Sequence, residues 1–148
     1  MKRIVQTAVC AFVLLTGGNT FALAGPTEPA RGSLLRQDLL NAVRSLAEFE
    51  FGLPVEFVVI ELQAEGDLAF ARLLPQRPEG RVIDLETTPM VVQRGASPAA
   101  FDGARMEVFL ERVEGSWRVT ASATGATDVW WFGYRCDIYS AFLPGMGC

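Results

Sequence analysis

The chain has 148 residues, half of them hydrophobic, with 13 Lys and Arg, 17 Asp and Glu, and no His. Lys2 and Arg3 lie at the start, so the chain beyond residue 24 keeps 11 Arg against all 17 acidic residues, a net charge of −6. An acidic chain is not typical of a nucleic-acid binder, which needs a basic surface. Because this part has no His and no Lys, it cannot form a His-dependent triad, an imidazole metal ligand or a lysine Schiff base.

The first 24 residues have the pattern of a secretory signal peptide. Basic Lys2 and Arg3 precede a mostly apolar run over residues 5–15, and Ala22 and Ala24 provide small residues before a cleavage site after Ala24. The run is shorter than the roughly 20 residues that a membrane span requires. The sequence therefore predicts a periplasmic or secreted protein with no membrane span after signal cleavage.

The remaining residues fit one domain. Residues 25–32 contain Gly and Pro and are expected to form a loose linker, and residues 33–148 are expected to form a single α+β domain. Ser33 is a candidate N-cap for a helix over residues 34–50, which Gly52 and Pro54 would end. The apolar stripe of this helix has helical spacing and comprises Leu35, Leu39, Ala42, Val43 and Leu46.

Two strands of a hairpin follow the helix. Residues 55–62 are β-branched and aromatic, and alternation places Val58, Ile60 and Leu62 on one face. Since both faces are apolar, we expect a central strand. A turn at residues 64–67 leads to a partner strand over residues 68–74.

A second hairpin follows a less regular connection. Residues 82–83 are expected to form a short strand, and Thr88, which precedes a proline, is expected to be extended. Strands are expected over residues 105–112 and 117–123, on either side of a Glu-Gly-Ser turn. In the first, Met106, Val108 and Leu110 share one face with Glu107, Phe109 and Glu111 opposite; in the second, the apolar face comprises Trp117, Val119 and Ala121.

One helix followed by two sequential hairpins predicts an α+β fold with an antiparallel sheet of about four strands. The amphipathic helix must bury its apolar stripe on one face of this curved sheet. The element order is similar to that of cystatin-like and NTF2-like folds. This similarity implies nothing about function, because a fold carries many functions.

Four segments resemble those of a family of small, uncharacterised exported proteins of proteobacteria. They are GDLAFARLLPQRP at residues 66–78, IDLETTP at 83–89, the stretch from FDG to SWRV at 101–119, and GATDVWW at 125–131. The resemblance covers most of the chain after residue 24. It implies export, and it brings no activity, substrate or catalytic residue.

Two cysteines, Cys136 and Cys148, remain beyond the signal peptide. An even pair in an exported protein predicts a disulfide, which would hold the C-terminus beside the preceding aromatic residues. Two free thiols are the alternative. Their number and spacing do not match a zinc site.

The aromatic segment, residues 125–142, is the strongest candidate for a binding surface, through Trp130, Trp131, Tyr134 and Arg135. Such residues dominate protein interfaces, but they also pack in cores. Because adjacent residues cannot share one face, we expect one tryptophan in the core and the other partly exposed. Asp128 is expected either to cap a helical turn or to serve as a general acid or base.

Two clusters of charged residues are more simply explained without a ligand. Asp84, Glu86 and Asp102 could collect a calcium ion, but their spacing does not match an EF-hand, and a solvated acidic rim is expected. Three arginines could bind a carboxylate or phosphate, but internal ion pairs with neighbouring acids such as Glu79 are favoured. These arginines are Arg72, Arg77 and Arg81.

The sequence predicts an exported, non-enzymatic domain that binds an envelope or extracellular protein or a small ligand through the aromatic segment. It predicts no cofactor, metal or catalytic residue. Two alternatives remain. One is a small carboxylate-dependent enzyme with a pocket between helix and sheet, using Asp128 or Tyr134, and the other is a structural envelope protein.

Overall fold

A computed structural model of the protein describes residues 25–148. The predicted signal peptide, residues 1–24, lies outside the described residues. Within residues 25–148, no helix is long and apolar enough to span a membrane.

The main helix, α1, spans Leu34–Phe51, close to the predicted bounds. The Ser33 hydroxyl accepts a hydrogen bond from the Arg36 N–H at 3.2 Å, which satisfies one of the free donors of the first turn. At the other end, Gly52 has φ 78°, and its N–H donates to the Glu48 carbonyl. The buried stripe repeats every fourth residue and comprises Leu39, Val43, Ala47 and Phe51.

Four strands form one antiparallel sheet in the order β1-β2-β3-β4. They span Glu56–Glu65 for β1, Leu68–Gln76 for β2, Met106–Val113 for β3 and Ser116–Thr124 for β4. The α+β fold predicted from the element order is therefore confirmed. The expectation that the first strand is central was wrong, because β1 lies at an edge of the sheet, and only one of its two apolar faces is covered by α1.

A β-bulge in β1 changes which side chains face α1. The register shifts between Val59 and Glu61, so Ile60 is an extra residue without a partner on β2. After this shift Leu62 faces α1 together with Phe57 and Val59, and Ile60 lies on the opposite face. The predicted grouping of Leu62 with Ile60 was wrong, because one extra residue reverses the alternation.

A second bulge has the same effect in β4. The register between β3 and β4 shifts at Phe109 and Leu110, and Thr120 is the extra residue. Trp117 and Val119 pack on the α1 side, as predicted, but Ala121 packs on the opposite side beside Phe109. The two strand faces predicted for β3 are confirmed, since Met106, Val108 and Leu110 lie in the α1 core.

The connection between the hairpins contains short helical turns. Residues 82–83 form no strand, in contrast to the prediction. A helical turn, Leu85–Thr87, begins shortly after them. The Asp84 carboxylate caps this turn by accepting a hydrogen bond from the Glu86 N–H at 3.1 Å. Thr88 is extended, as predicted, and Pro89 begins the short helix α2, Pro89–Val92.

Residues 25–32 are fastened to the domain and do not form the loose linker that we expected. Thr27 exchanges two backbone hydrogen bonds with Ala64 of β1, at 3.0 and 2.9 Å. Glu28 forms an ion pair with Arg36 of α1 at 2.9 Å, and Pro29 is buried. This segment therefore covers one end of the outer edge of β1.

Candidate functional site

The aromatic segment leaves β4 through a tight turn at Gly125. Its φ is 52°, and a Cβ at this position would lie 2.5 Å from the Gly103 carbonyl oxygen and 2.7 Å from the Phe101 Cβ. The Gly125 N–H donates to the Arg105 carbonyl at 2.7 Å, and its own carbonyl accepts from the Asp102 N–H at 2.8 Å. Only glycine fits this close approach, which directs the chain back over the sheet.

The sheet face opposite α1, which we call the outer face, holds a second apolar core. Phe70 of β2 and Phe109 of β3 stand on directly opposite positions of the outer face and are almost completely buried. Tyr139, Phe142 and Leu143 are buried with them, and the partly buried Trp130, Trp131 and Tyr134 pack against this cluster. The aromatic segment is therefore mainly a cover for this second core.

Phe109 is the centre of the aromatic cluster. Its ring centroid lies 4.3 Å from that of Tyr139 in a stacked arrangement and 5.0 Å from that of Tyr134. The rings of Phe70 and Trp130 are tilted against it, at 5.1 and 5.6 Å. Aromatic pairs at such separations contribute about 0.5–1.5 kcal/mol each beyond the burial of their area.

Tyr139 fixes the segment to the bulge of β4. The hydroxyls of Tyr139 and Thr120 form a hydrogen bond at 2.5 Å, and the Thr120 hydroxyl also lies 3.3 Å from the Phe109 carbonyl oxygen. Burial raises the pKa of the Tyr139 hydroxyl, and the hydrogen bond with Thr120 partly opposes this rise. The neutral phenol is thus the form that fits this site.

A row of polar side chains crosses the outer face at the margin of the aromatic cluster. Glu61, Arg72 and Glu107 occupy directly paired positions on β1, β2 and β3. The Arg72 guanidinium donates to Glu61 at 2.9 Å and to Glu107 at 2.7 Å. The second oxygen of Glu107, a residue only 6% exposed, accepts from the Trp130 indole N–H at 2.7 Å. We call this row the polar ladder.

The polar ladder was not predicted as a site. A possible signal was the Glu107-Phe109-Glu111 face of β3, where an aromatic residue between two acids suggests that the face is partly covered. Charged residues are rarely buried unless they are paired. The partners of Glu107, however, lie 35 residues before it and 23 residues after it.

The outward side of the aromatic segment has a different character. Val129, Phe132 and Ile138 are between 44% and 59% exposed. The Arg135 guanidinium lies 3.9 Å from the centroid of the Phe132 ring, within the range of a cation–π contact. This side therefore presents apolar side chains and one stacked arginine to solvent.

The residues predicted as a binding surface divide between the two sides. Trp130 and Tyr134 turn inward, and Arg135 lies on the outward side. Trp131 is partly exposed, as expected of one of the two tryptophans, but Trp130 is also only half-buried against the second core. Both rings belong to the 3₁₀ turn Trp130–Tyr134 and pack against the same core.

Asp128 is exposed and does not form the predicted cap. The N-cap of the 3₁₀ turn is Val129, and no side chain caps it.

Two surface cavities, of ≈ 240 and ≈ 230 Å³, are lined by residues outside the aromatic segment. The first lies between α1 and the β3–β4 turn and includes Asp38 and Ser116, and the second is apolar and includes Leu74 and Ile83.

The two cysteines lie near each other at the surface as free thiols. The Cys148 thiol donates a hydrogen bond to the Arg135 carbonyl at 3.4 Å. A hydrogen bond with the Cys136 side chain raises the pKa of Cys148. The C-terminus thus folds back beside the residue that precedes Cys136.

The arginines of the predicted basic cluster make internal contacts. Within residues 25–148, no group of three or more Cys, Asp or Glu is placed to hold a metal ion. Arg72 forms internal ion pairs, as favoured, but with Glu61 and Glu107 of the sheet. Arg77 donates to the carbonyls of residues 51, 52 and 54 at the end of α1, and Arg81 donates weakly to the Pro78 carbonyl at 3.4 Å.

Comparisons of this chain with protein-family models, with curated proteins and with solved structures found no match.

Proposed function

We propose that this protein is an exported domain without catalytic activity, which binds a protein or a small ligand through the outward side of its aromatic segment. The observation that carries the proposal is the pairing of exposed Phe132 with Arg135, on a segment that also exposes Val129 and Ile138. Exposed apolar side chains concentrated on one segment are a feature of interaction surfaces. Aromatic residues and arginine are the types enriched at such surfaces.

The inward side of the same segment supports this role. The Trp130 indole is hydrogen-bonded to the nearly buried Glu107, and Tyr139 is stacked on Phe109. A surface held this firmly loses little conformational entropy when a ligand binds, so more of the contact energy remains as affinity.

A disulfide between Cys136 and Cys148 is part of the proposal. The predicted signal peptide favours an oxidising compartment, where such a pair is stable. The closeness of the Cys148 thiol to the Arg135 carbonyl supports a bridge that needs little movement of the chain. The bridge would hold the end of the chain beside Arg135.

The test is capture of partners by the tagged protein from the envelope fraction, with identification by mass spectrometry. Phe132→Ala and Arg135→Ala should each reduce capture of the same partner by about ten-fold, the size of a moderate interface contact. Thermal melting should change little, because both side chains lie on the outward side.

A matched control exists on α1. Phe49 is 60% exposed, and the Arg94 guanidinium lies 4.1 Å from its ring centroid, so this pair resembles Phe132 and Arg135 in exposure and geometry. Phe49→Ala should leave capture unchanged. Equal losses in Phe49→Ala and Phe132→Ala, or full capture by Phe132→Ala, would contradict the proposal.

The enzymatic alternative has less support. Neither of the two cavities described above is lined by Asp128 or Tyr134, the residues on which it depends. The cavity beside α1 holds the Asp38 carboxylate, but it is shallow and lacks a second titratable group. A structural envelope role remains the interpretation if no partner depends on Phe132.

A further inference from the structure

The outer face has an uncovered part, which we call the open half. It comprises Val58 and Ile60 of β1 and Leu74 of β2, which are 44%, 53% and 41% exposed. Val58 and Leu74 are directly paired across the two strands, so the three side chains form one apolar surface. The polar ladder separates this surface from the aromatic cluster.

The outer edge of β1 is also free along the open half. The N–H and C=O of Ala64 point away from β2, since both bond to Thr27. Alternation and the bulge direct the backbone groups of Leu62, Val59 and Phe57 to the same edge. In the described part of the chain, only Thr27 pairs with this edge.

The charge beside the open half is negative. In the polar ladder two carboxylates share one guanidinium, which leaves one net negative charge. One oxygen of Glu61 bonds to Arg72, the other has no hydrogen-bond partner within residues 25–148, and the side chain is 28% exposed. Glu56 is exposed on the same face of β1.

We infer that β1 is a docking strand for an extended segment of another protein that carries apolar and basic side chains together on one of its two faces. Its backbone would pair with Phe57, Val59 and Leu62 as a fifth strand of the sheet. Its apolar side chains would lie beside Val58 and Ile60. A basic side chain would reach the free oxygen of Glu61 and neutralise the excess charge of the ladder.

A second copy of this chain fits the edge less well. It would bring the acidic residues of another β1 strand, among them Glu56 and Glu61, against those of the first. Like charges across paired strands are destabilising, and each chain carries a net charge of −6 beyond residue 24. Charge complementarity therefore favours a basic partner.

The test uses a synthetic peptide ten residues long, to match β1, in which valine and arginine take turns at every second position and threonine fills the positions between them. We call it the valine–arginine peptide, and its valine–glutamate counterpart has glutamate in place of each arginine. Binding to the purified protein is measured by fluorescence anisotropy of the labelled peptide, and a valine–glutamate peptide is the charge control. The valine–arginine peptide should bind, and its affinity should fall as salt increases. Equal binding of both peptides would overturn the inference.

Two matched variants locate the site. Ile60→Lys removes apolar contact and places a like charge beside the peptide, so affinity should fall about ten-fold. Ile138→Lys makes the same change at a similarly exposed residue of the aromatic segment and should leave peptide affinity unchanged. Equal effects of the two variants would contradict docking on β1 and would favour the surface proposed above.

Hydrogen exchange keeps the inference testable if a variant folds poorly. In the unaltered protein, the peptide should slow exchange of the Phe57, Val59 and Leu62 amides. Unchanged exchange at all three amides would overturn the inference. Slowed exchange without peptide, together with a dimer in solution, would mean that a second copy occupies the edge instead.

Discussion

The two halves of the outer face share β2 and have opposite exposure. Around Phe70 and Phe109 the aromatic segment excludes solvent, whereas Val58, Ile60 and Leu74 stay more than two-fifths exposed. A single helix covers only one face of a four-stranded sheet. The last part of the chain covers the other face, but it extends only as far as the polar ladder.

The polar ladder explains the position of the boundary between the covered half and the open half of the outer face. Glu107 is almost buried, and its two oxygens accept hydrogen bonds from Arg72 and Trp130. A buried carboxylate without such partners would be costly. Trp130 thus closes the aromatic cluster at the point where Arg72 and Glu61 begin to meet solvent.

The largest expected effect distinguishes the two halves by stability. Phe109→Ala removes the ring at the centre of the aromatic cluster and should lower the free energy of unfolding by about 3–5 kcal/mol. Val58→Ala, on the open half, should cost at most about 0.5 kcal/mol. Urea unfolding measures both variants. Similar losses would show that the open half is as well packed as the covered half.

The next largest effect concerns how the aromatic segment is held in place. In oxidised protein, the proposed Cys136–Cys148 bridge would close a loop of about a dozen residues and should add about 3 kcal/mol to the free energy of unfolding by the chain-entropy relation. Cys148→Ser should lose this stability in oxidising buffer and match the unaltered protein in reducing buffer. Equal stability of the two proteins in oxidising buffer would show that the bridge does not form or does not hold the segment.

The smallest effect concerns Tyr139. Tyr139→Phe loses the hydrogen bond to Thr120 and should cost about 1 kcal/mol at neutral pH. Tyr134→Phe is the control, because the Tyr134 hydroxyl makes no hydrogen bond within the described residues. Urea unfolding at neutral pH distinguishes the two.

Tyr139→Phe should also change how the free energy of unfolding depends on pH above pH 10. Burial holds the pKa of Tyr139 above its ordinary value of 10.0, so the folded state binds this proton more tightly than the unfolded state. The resulting stability is present below pH 10 and is lost as the pH rises through the folded-state pKa. Tyr139→Phe should therefore lose less stability above pH 10 than the unaltered protein. An identical alkaline loss would contradict burial of the neutral phenol.

Local patterns predicted the elements well and their faces less well. The cap at Ser33, the stop at Gly52 and the two hairpin turns depend on residues within a few positions, and they are confirmed. The bulges at Ile60 and Thr120 reversed the faces of Leu62 and Ala121. A bulge depends on how two strands pair, and that information is not contained in either strand alone.

The candidate site was predicted in part for the same reason. The density of Trp, Tyr and Arg in the aromatic segment was visible in the sequence, but alternation could not say which side chains turn inward. Glu107 and Phe109, which contact the segment, lie on β3, and β3 precedes the segment by more than ten residues in the chain. Asp128 was predicted as a functional residue only from its position shortly before Trp130 and Trp131, and its side chain is exposed.

The sequence by itself determined the helix, the four strands, their antiparallel hairpins and the acidic, His-free chemistry, because each of these follows from composition or from neighbours along the chain. Only the tertiary structure decided that the aromatic segment covers half of the outer face, that Arg72 joins Glu61 to Glu107, and that the edge of β1 stays free. These contacts join residues far apart in the chain, and strand register, together with the two bulges, determines which side chains meet.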